Sequence, residues 1–195
     1  MNHRGEVGPK NLFDAIGAQQ FNVLTGLGLR EHHSLLDIGC GSLRGGRLFI
    51  VYLQQGKYNG IEPNAALVQA GIDQELGQSV IDLKKPTFYH FDDFRLTTTG
   101  KQFDFILAQS IFSHAGFNLV QRTISEAAAS MVKGGKFAAT FFQGEGGIGK
   151  GWLGHGVTTH TLKQMVAAGR QWGFKVNALD VKHPVGQTWL CYTKL

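Results

Sequence analysis

Along most of this chain, short apolar runs alternate with stretches that are apolar at every third or fourth residue. The run 35–40 reads as a buried strand, and Gly45-Gly46-Arg47-Leu48-Phe49-Ile50-Val51-Tyr52-Leu53 as the helix after it, closed by Gly56. Residues 58–62 predict a second strand, and Pro63-Asn64 open a helix through Ala65, Leu67, Val68 and Ile72 to about Leu76, stopped by Gly77. A short aromatic strand is expected over 86–91 and an apolar one over 103–108. Asn118 is expected to cap a helix carrying Val120, Ile124, Ala127 and Met131, ended by Lys133-Gly134-Gly135, with a strand over 135–142 next. Thr158 or Thr159 is expected to cap a helix to about Trp172, and 175–180 and 187–193 to be the last strands. Strands alternating with helices predict a parallel sheet covered on both faces. The connection 180–186 is too short for a helical crossover, so the last two strands are expected to be antiparallel. Leu12, Phe13, Ile16, Phe21, Val23 and Leu24 share roughly helical spacing, which predicts a helical cap segment over 1–33 ahead of a compact domain over 34–195.

The first strand runs into the most informative turn, Asp37-Ile38-Gly39-Cys40-Gly41-Ser42-Leu43-Arg44-Gly45. Glycines at a strand-to-helix turn let the backbone approach a bulky ligand. A dinucleotide fingerprint would place its third glycine three residues after Gly41, and here it comes one residue late, at Gly45. Asp37 would repel a pyrophosphate and suits a cationic amino-acid head. About 20 residues on, Glu62 ends the second strand, where a carboxylate accepts both hydroxyls of a ribose.

In these motifs the chain resembles the class I S-adenosylmethionine-dependent methyltransferases, whose first motif is D/E-x-G-x-G-x-G and whose second ends a strand in an acid. The resemblance covers roughly residues 34–142 by motif and the rest by strand order; Leu43 stands where the family has its third glycine. It implies a Rossmann-like, doubly wound, mainly parallel seven-stranded sheet with one antiparallel strand near the edge, and S-adenosyl-L-methionine as cofactor. Asp37, Gly39, Cys40, Gly41 and Glu62 are the expected cofactor-binding residues, with the Cys40 thiol a small buried filler. Asp92 or Asp93, after the third strand, would accept from the adenine amino group. Arg44 either pairs with the cofactor's carboxylate through its guanidinium fork or faces solvent. Gln109 and Ser110 leave the fourth strand, where the family brings cofactor and acceptor together, and are expected to contact the cofactor. His114 is the first candidate for a general base, with His155 on the glycine-rich loop as its rival. In the family an N-terminal segment often closes over the cofactor.

Composition narrows the partners. A net charge of +5 would suit nucleic acid, yet Lys84-Lys85 is the only adjacent basic pair and only 17% of residues are charged. No N-P-P-Y, D-P-P-Y or Pro-Cys follows the fourth strand. A small-molecule acceptor is therefore expected, methylated on a hydroxyl or amine. An RNA methyltransferase and a cofactor-binding module without transfer activity are the alternatives. The loop 143–156 contains G-x-x-x-x-G-K from Gly144 to Lys150, but Gly151 follows where magnesium binding needs a hydroxyl, which argues against nucleotide hydrolysis. Two ill-matched cysteines, no metal-ligand spacing and no apolar run of about 18 residues point to a cytoplasmic protein with reduced thiols, no metal and no membrane span.

Overall fold

Four consecutive buried residues, Leu35–Ile38, form strand β1, and burial on both faces is what a parallel strand between helices requires. In the computed structural model, residues 2–147 and 150–195 are described, and they divide into two units, Met1–Asp92 and Asp93–Leu195. The segment expected as a separate cap, 1–33, lies within the first.

In the first unit, α1 (Phe13–Gly26) precedes β1, α2 (Gly46–Tyr52), β2 (Tyr58–Ile61), α3 (Ala65–Gly71), a π-helical turn (Ile72–Leu76), α4 (Gln78–Lys84) and β3 (Thr87–Tyr89). The strands are parallel in the order β3-β2-β1, with Asp37 opposite Gly60 and Ile38 opposite Ile61. Helix α1 buries Phe13, Ile16, Val23 and Leu24, and its Phe21 ring lies 5.6 Å from Phe49 and 5.2 Å from Tyr52 on α2. The expected helix 64–76 is cut short: Asn64 caps it through a bond from Leu67 N, but the backbone loosens into the π turn after Gly71.

The N-terminal residues are latched to that turn. Arg4 donates to both carboxylate oxygens of Glu75, at 2.7 and 2.9 Å, and Arg47 donates to Glu75 at 3.1 Å. Both guanidinium groups also reach Asp14 and lie over the Phe13 ring, at 4.6 and 5.2 Å. The Glu75 side chain is 4% exposed, so its charge is paired where water cannot screen it.

The second unit contains β4 (Phe103–Ala108), α5 (Phe117–Ala129), β5 (Met131–Gln143), the two-residue β6 (Thr159–His160), α6 (Leu162–Gln171), β7 (Phe174–Ala178) and β8 (Thr188–Lys194). The order is β4-β5-β8-β7; β4 and β5 are parallel, and β8 is antiparallel to both its neighbours. With β6 set aside, the units contribute three and four strands, and among the described strands those pairings that involve β8 are antiparallel and the others parallel. Phe137 stacks on Tyr192 at 5.3 Å in a core that includes Phe103, Phe141 and Trp189.

Three local expectations change. Gly116, not Asn118, stands at the N-cap of α5, and the Asn118 side chain accepts from Gly151 N instead. Lys133-Gly134-Gly135 lies inside β5, where the pairing slips from Phe103↔Met131 to Phe105↔Lys136. Thr161 caps α6 in a reciprocal pair with Gln164, because Thr159 is taken up in β6. Among the described residues no helix is long and apolar enough to cross a membrane.

Candidate functional site

The first unit gathers Asp37, Gly39, Cys40, Gly41, Arg44 and Glu62 at the carboxyl ends of β1 and β2, the end where open α/β sheets bind ligands. The amides of Gly39 and Cys40 both donate to Ile61 O, which ties the turn to β2. Gly39 and Gly41 have φ of 68° and 53°, the left-handed region that glycine enters without strain, and Leu43 follows them there at 62°. The third position of the motif thus keeps its backbone conformation after losing its glycine.

Glu62 is half-buried, and its carboxylate is fixed from two sides: Gly41 N donates to Oε2 at 3.2 Å and Asn64 N to Oε1 at 3.0 Å. Asp37 is buried to 4% exposure and accepts from the Tyr58 hydroxyl at 2.8 Å. Burial pushes its carboxyl up to about 7, while the Tyr58 hydrogen bond and the Arg44 charge pull the other way. Burial likewise raises the Cys40 thiol, which packs against Gly60, where a Cβ would lie 2.8 Å from its Sγ. Arg44 is buried, and its guanidinium donates to Val7 O; burial lowers it to about 10. Its neighbour Ser42 donates to His3 O at 2.9 Å, and a Cβ on Gly41 would lie 2.5 Å from Val7 Cγ1. The N-terminal segment therefore rests on the glycine turn. Asp92, at the end of this unit, is exposed.

In the second unit Asp93 is held by Arg95, whose N donates to Oδ1 at 3.0 Å and whose Nε lies 3.3 Å from Oδ2. Gln109 and Ser110 follow β4 directly. Ser110 has φ 60°, a strained value for serine, held by its N–H to Thr140 Oγ1 at 2.7 Å. Its hydroxyl accepts from the Gln109 and Gln187 amides at 2.6 and 2.8 Å, and the Gln109 amide lies 3.1 Å from His183 Nε2. Gln109, His183 and Gln187 are all buried.

His114 Nδ1 lies 2.8 Å from Gly156 O; facing a carbonyl it must carry the proton, which leaves Nε2 as the acceptor of a neutral ring. The loop opposite is stitched to residues 113–118 by Gly116 N to Gly151 O, Leu153 N to His114 O and Thr158 N to Ser113 O, all at 2.8 to 2.9 Å. Trp152 is 51% exposed, with the His114 ring at 5.8 Å and Phe94 at 6.0 Å. His160 is buried and shares its Nε2–H between Phe112 O and Ala115 O, and burial lowers its pKa, so it anchors this segment as a neutral ring. His155 lies exposed on the same loop. Ile148 and Gly149 of the 144–150 pattern lie outside the described residues.

Tyr58, His183 and Gln187 did not stand out in sequence. Tyr58 reads as one apolar strand residue among several, and the other two enter through long-range contacts of the β7–β8 connection that no local pattern announces.

No protein-family model matches the chain, and no curated protein does. Solved structures do. Magnesium protoporphyrin IX methyltransferase (ChlM) from Synechocystis PCC 6803 with bound SAH is similar at TM-score 0.71 and 14% identity, over 100% of this chain and 93% of that one. CalS10, an amino pentose methyltransferase from Micromonospora echinaspora with bound SAM, is similar at TM-score 0.68 and 14% identity, over 97% and 94%. A putative rRNA-methylase from Clostridium thermocellum is similar at TM-score 0.63 and 11% identity, over 92% and 97%. The mainly parallel strands with β8 antiparallel, together with these likenesses, give this chain the Rossmann-like fold of the class I S-adenosylmethionine-dependent methyltransferases.

Proposed function

We propose that this chain transfers a methyl group from S-adenosyl-L-methionine to a hydroxyl or amine of a small-molecule acceptor. The observation that carries the reading is the Glu62 carboxylate, braced by Gly41 N and Asn64 N beside a turn in three left-handed residues. An anion fixed at that point suits a ribose diol. Asp37 is buried and accepts from the Tyr58 hydroxyl through Oδ2, and a buried carboxylate suits an ammonium group. The residues present thus fit an S-adenosyl ligand at both its ribose and its amino-acid head.

When bound, the cofactor supplies a methyl on a sulfonium, an activated donor. The chain's part is mainly alignment. Gly39, Cys40 and Gly41 shape the turn, Glu62 orients the sugar, and Asp92, exposed where Asp93 is engaged by Arg95, is the better partner for the adenine amino group. Gln109 and Ser110, directly after β4, keep the cofactor-contact role that the family resemblance implies. His114, its Nδ1–H fixed on Gly156 O, accepts the acceptor's proton at Nε2. Arg44 donates to Val7 O and acts on the turn through the N-terminal segment.

Calorimetric titration with S-adenosylhomocysteine, NAD and ATP tests the cofactor, with binding expected for the first alone. Tight NAD binding without S-adenosyl binding overturns the reading. Tracing a labelled methyl group into a metabolite extract and into RNA then separates the small-molecule reading from the RNA one. Cofactor binding with transfer to neither leaves a binding module.

A further inference from the structure

The two residues buried beneath the glycine turn, Asp37 and Tyr58, explain something that the alignment of ligand groups does not. Tyr58 opens β2 directly opposite Leu35, and its hydroxyl crosses to Asp37 Oδ2 at 2.8 Å. The hydroxyl is confined. A Cβ on Gly46, the first residue of α2, would lie 2.6 Å from it, so this end of the helix is seated on the tyrosine oxygen. Asp37 is 4% and Tyr58 2% exposed.

The ionisable groups that face Asp37 are few. Tyr58 from β2 is a neutral donor, because burial raises its own pKa far above the usual range. Cys40 in the turn is a neutral thiol for the same reason. Glu62, at the end of β2, opposes a second negative charge, and Arg44 favours it from a guanidinium bonded to Val7 O. Among the described residues, the phenol's hydrogen bond and the Arg44 charge favour an ionised Asp37, against nearly complete burial.

We infer that Tyr58 is a positioning residue that governs the charge on Asp37, and that an S-adenosyl ligand binds with release of the Asp37 proton. This rests on the cofactor reading proposed above. In the free chain the Asp37 carboxyl is largely protonated at mildly acid pH, where burial has pushed it up to about 7. The ligand's ammonium group supplies a further opposite charge to the carboxylate. The carboxyl O–H bond breaks, its electron pair stays on the carboxylate, and the proton passes to buffer. Charge balances, with a neutral acid and an ammonium before, and a carboxylate–ammonium pair and a released proton after.

The test uses the full chain and S-adenosylhomocysteine as probe, between pH 5.5 and 7.5, below the range near 7.7–8.0 where α-amino groups lose their proton. Calorimetry at pH 6.5 in two buffers of different ionisation enthalpy should register release of about half to one proton per site, with affinity rising toward pH 7.5. Tyr58→Phe keeps the ring and removes the hydroxyl that supports the ionised acid. It should bind about tenfold more weakly at pH 5.5, the gap narrowing to about threefold at pH 7.5. Asp37→Asn should bind without proton release and with flat pH dependence. A Tyr58→Phe deficit that is equal at every pH shows a purely structural tyrosine and overturns the inference. So does unchanged proton release from Asp37→Asn. If either variant fails to fold, the two-buffer measurement on the parent chain still decides: binding without proton release refutes the coupling while leaving the cofactor reading intact. No binding at any pH refutes the cofactor reading itself.

Discussion

The two units arrange polar groups at their strand ends by opposite means. Below the glycine turn the first unit buries ionisable side chains, Asp37 against Tyr58 and Glu75 against two arginines, with Arg44 close by. After β4 the second unit buries the neutral amides of Gln109 and Gln187, which both donate to the half-buried Ser110 hydroxyl, with the buried His183 beside Gln109. A buried carboxylate is sensitive to every nearby charge, so the first arrangement is suited to recognising a charged ligand and is expected to respond to pH. A neutral network holds shape at a free-energy cost that changes little with pH. His114 Nε2, beside the exposed Trp152, is the second unit's proton acceptor in the proposed mechanism.

The largest expected effect is at His114. Once an acceptor is identified, His114→Ala should lower turnover by roughly 100- to 10,000-fold and leave S-adenosylhomocysteine affinity nearly intact. Turnover of His114→Ala and His155→Ala across pH 5 to 9 checks this. If only His155→Ala loses rate and alters the profile, the base is on the exposed loop.

Asp37→Asn sharpens the contrast through stability. The folded carboxyl holds its proton up to about 7, whereas the unfolded one releases it near 3.8, so Asp37's contribution is fully present below that lower value and is lost as pH rises through the higher one. The amide carries no such penalty and still accepts from Tyr58. Thermal unfolding should therefore find the variant equal to the parent near pH 4 and more stable at pH 8, by roughly 2 to 4 kcal/mol. A variant that loses stability at pH 8 would mean that the buried charge is compensated in the parent.

Glu62→Ala should weaken S-adenosylhomocysteine binding by about 1 to 3 kcal/mol with the fold retained, because the side chain sits at a strand end. Unchanged affinity in calorimetry would give Glu62 only its bracing role toward Gly41 and Asn64. The smallest effect is expected at Gln187→Met. It removes one bond to Ser110 together with a buried Oε1 that has no partner among the described residues, two terms of opposite sign that should leave stability within about 1 kcal/mol of the parent. Chemical denaturation would measure the difference. A loss of several kcal/mol would show that the neutral network is as sensitive as the charged one.

What was legible in the sequence follows from the range of the forces involved. Strands β1 and β4 are short runs that are apolar except at Asp37 and Asp104, and the left-handed turn after β1 needs glycine for local steric reasons, so both could be read from neighbouring residues. Helix α4 could not, since it buries none of its residues and shows no apolar stripe. Lys133-Gly134-Gly135 has the composition of a helix stop, yet the chain absorbs it as an irregularity in β5 because the strand beside it fixes the pairing. Within the candidate site, Asp37, the glycines and Glu62 were marked by spacing. Tyr58, His183 and Gln187 owe their places to partners 21, 74 and 77 residues away, a separation that periodicity does not register. Arg44 was read as facing either the cofactor or solvent, and its bond to Val7 joins two segments whose meeting depends on how the N-terminal segment is latched.

Leu43 and Gly46 together show a displaced requirement for smallness. Leu43 keeps a left-handed backbone at the motif's third glycine position, which costs a residue with a side chain roughly 1 to 2 kcal/mol. The side chain is fully buried, and its Cδ2 lies 3.0 Å from where a Cβ on Gly46 would stand, on the side of that residue that also faces the Tyr58 hydroxyl. The vacancy that a glycine usually leaves above the turn has in effect been moved three residues along, into the first position of α2, and filled from below. Drift at one of these two positions is therefore conditional on the other. Alanine at 46 would be admitted only if both the Leu43 side chain and the Tyr58 hydroxyl gave way.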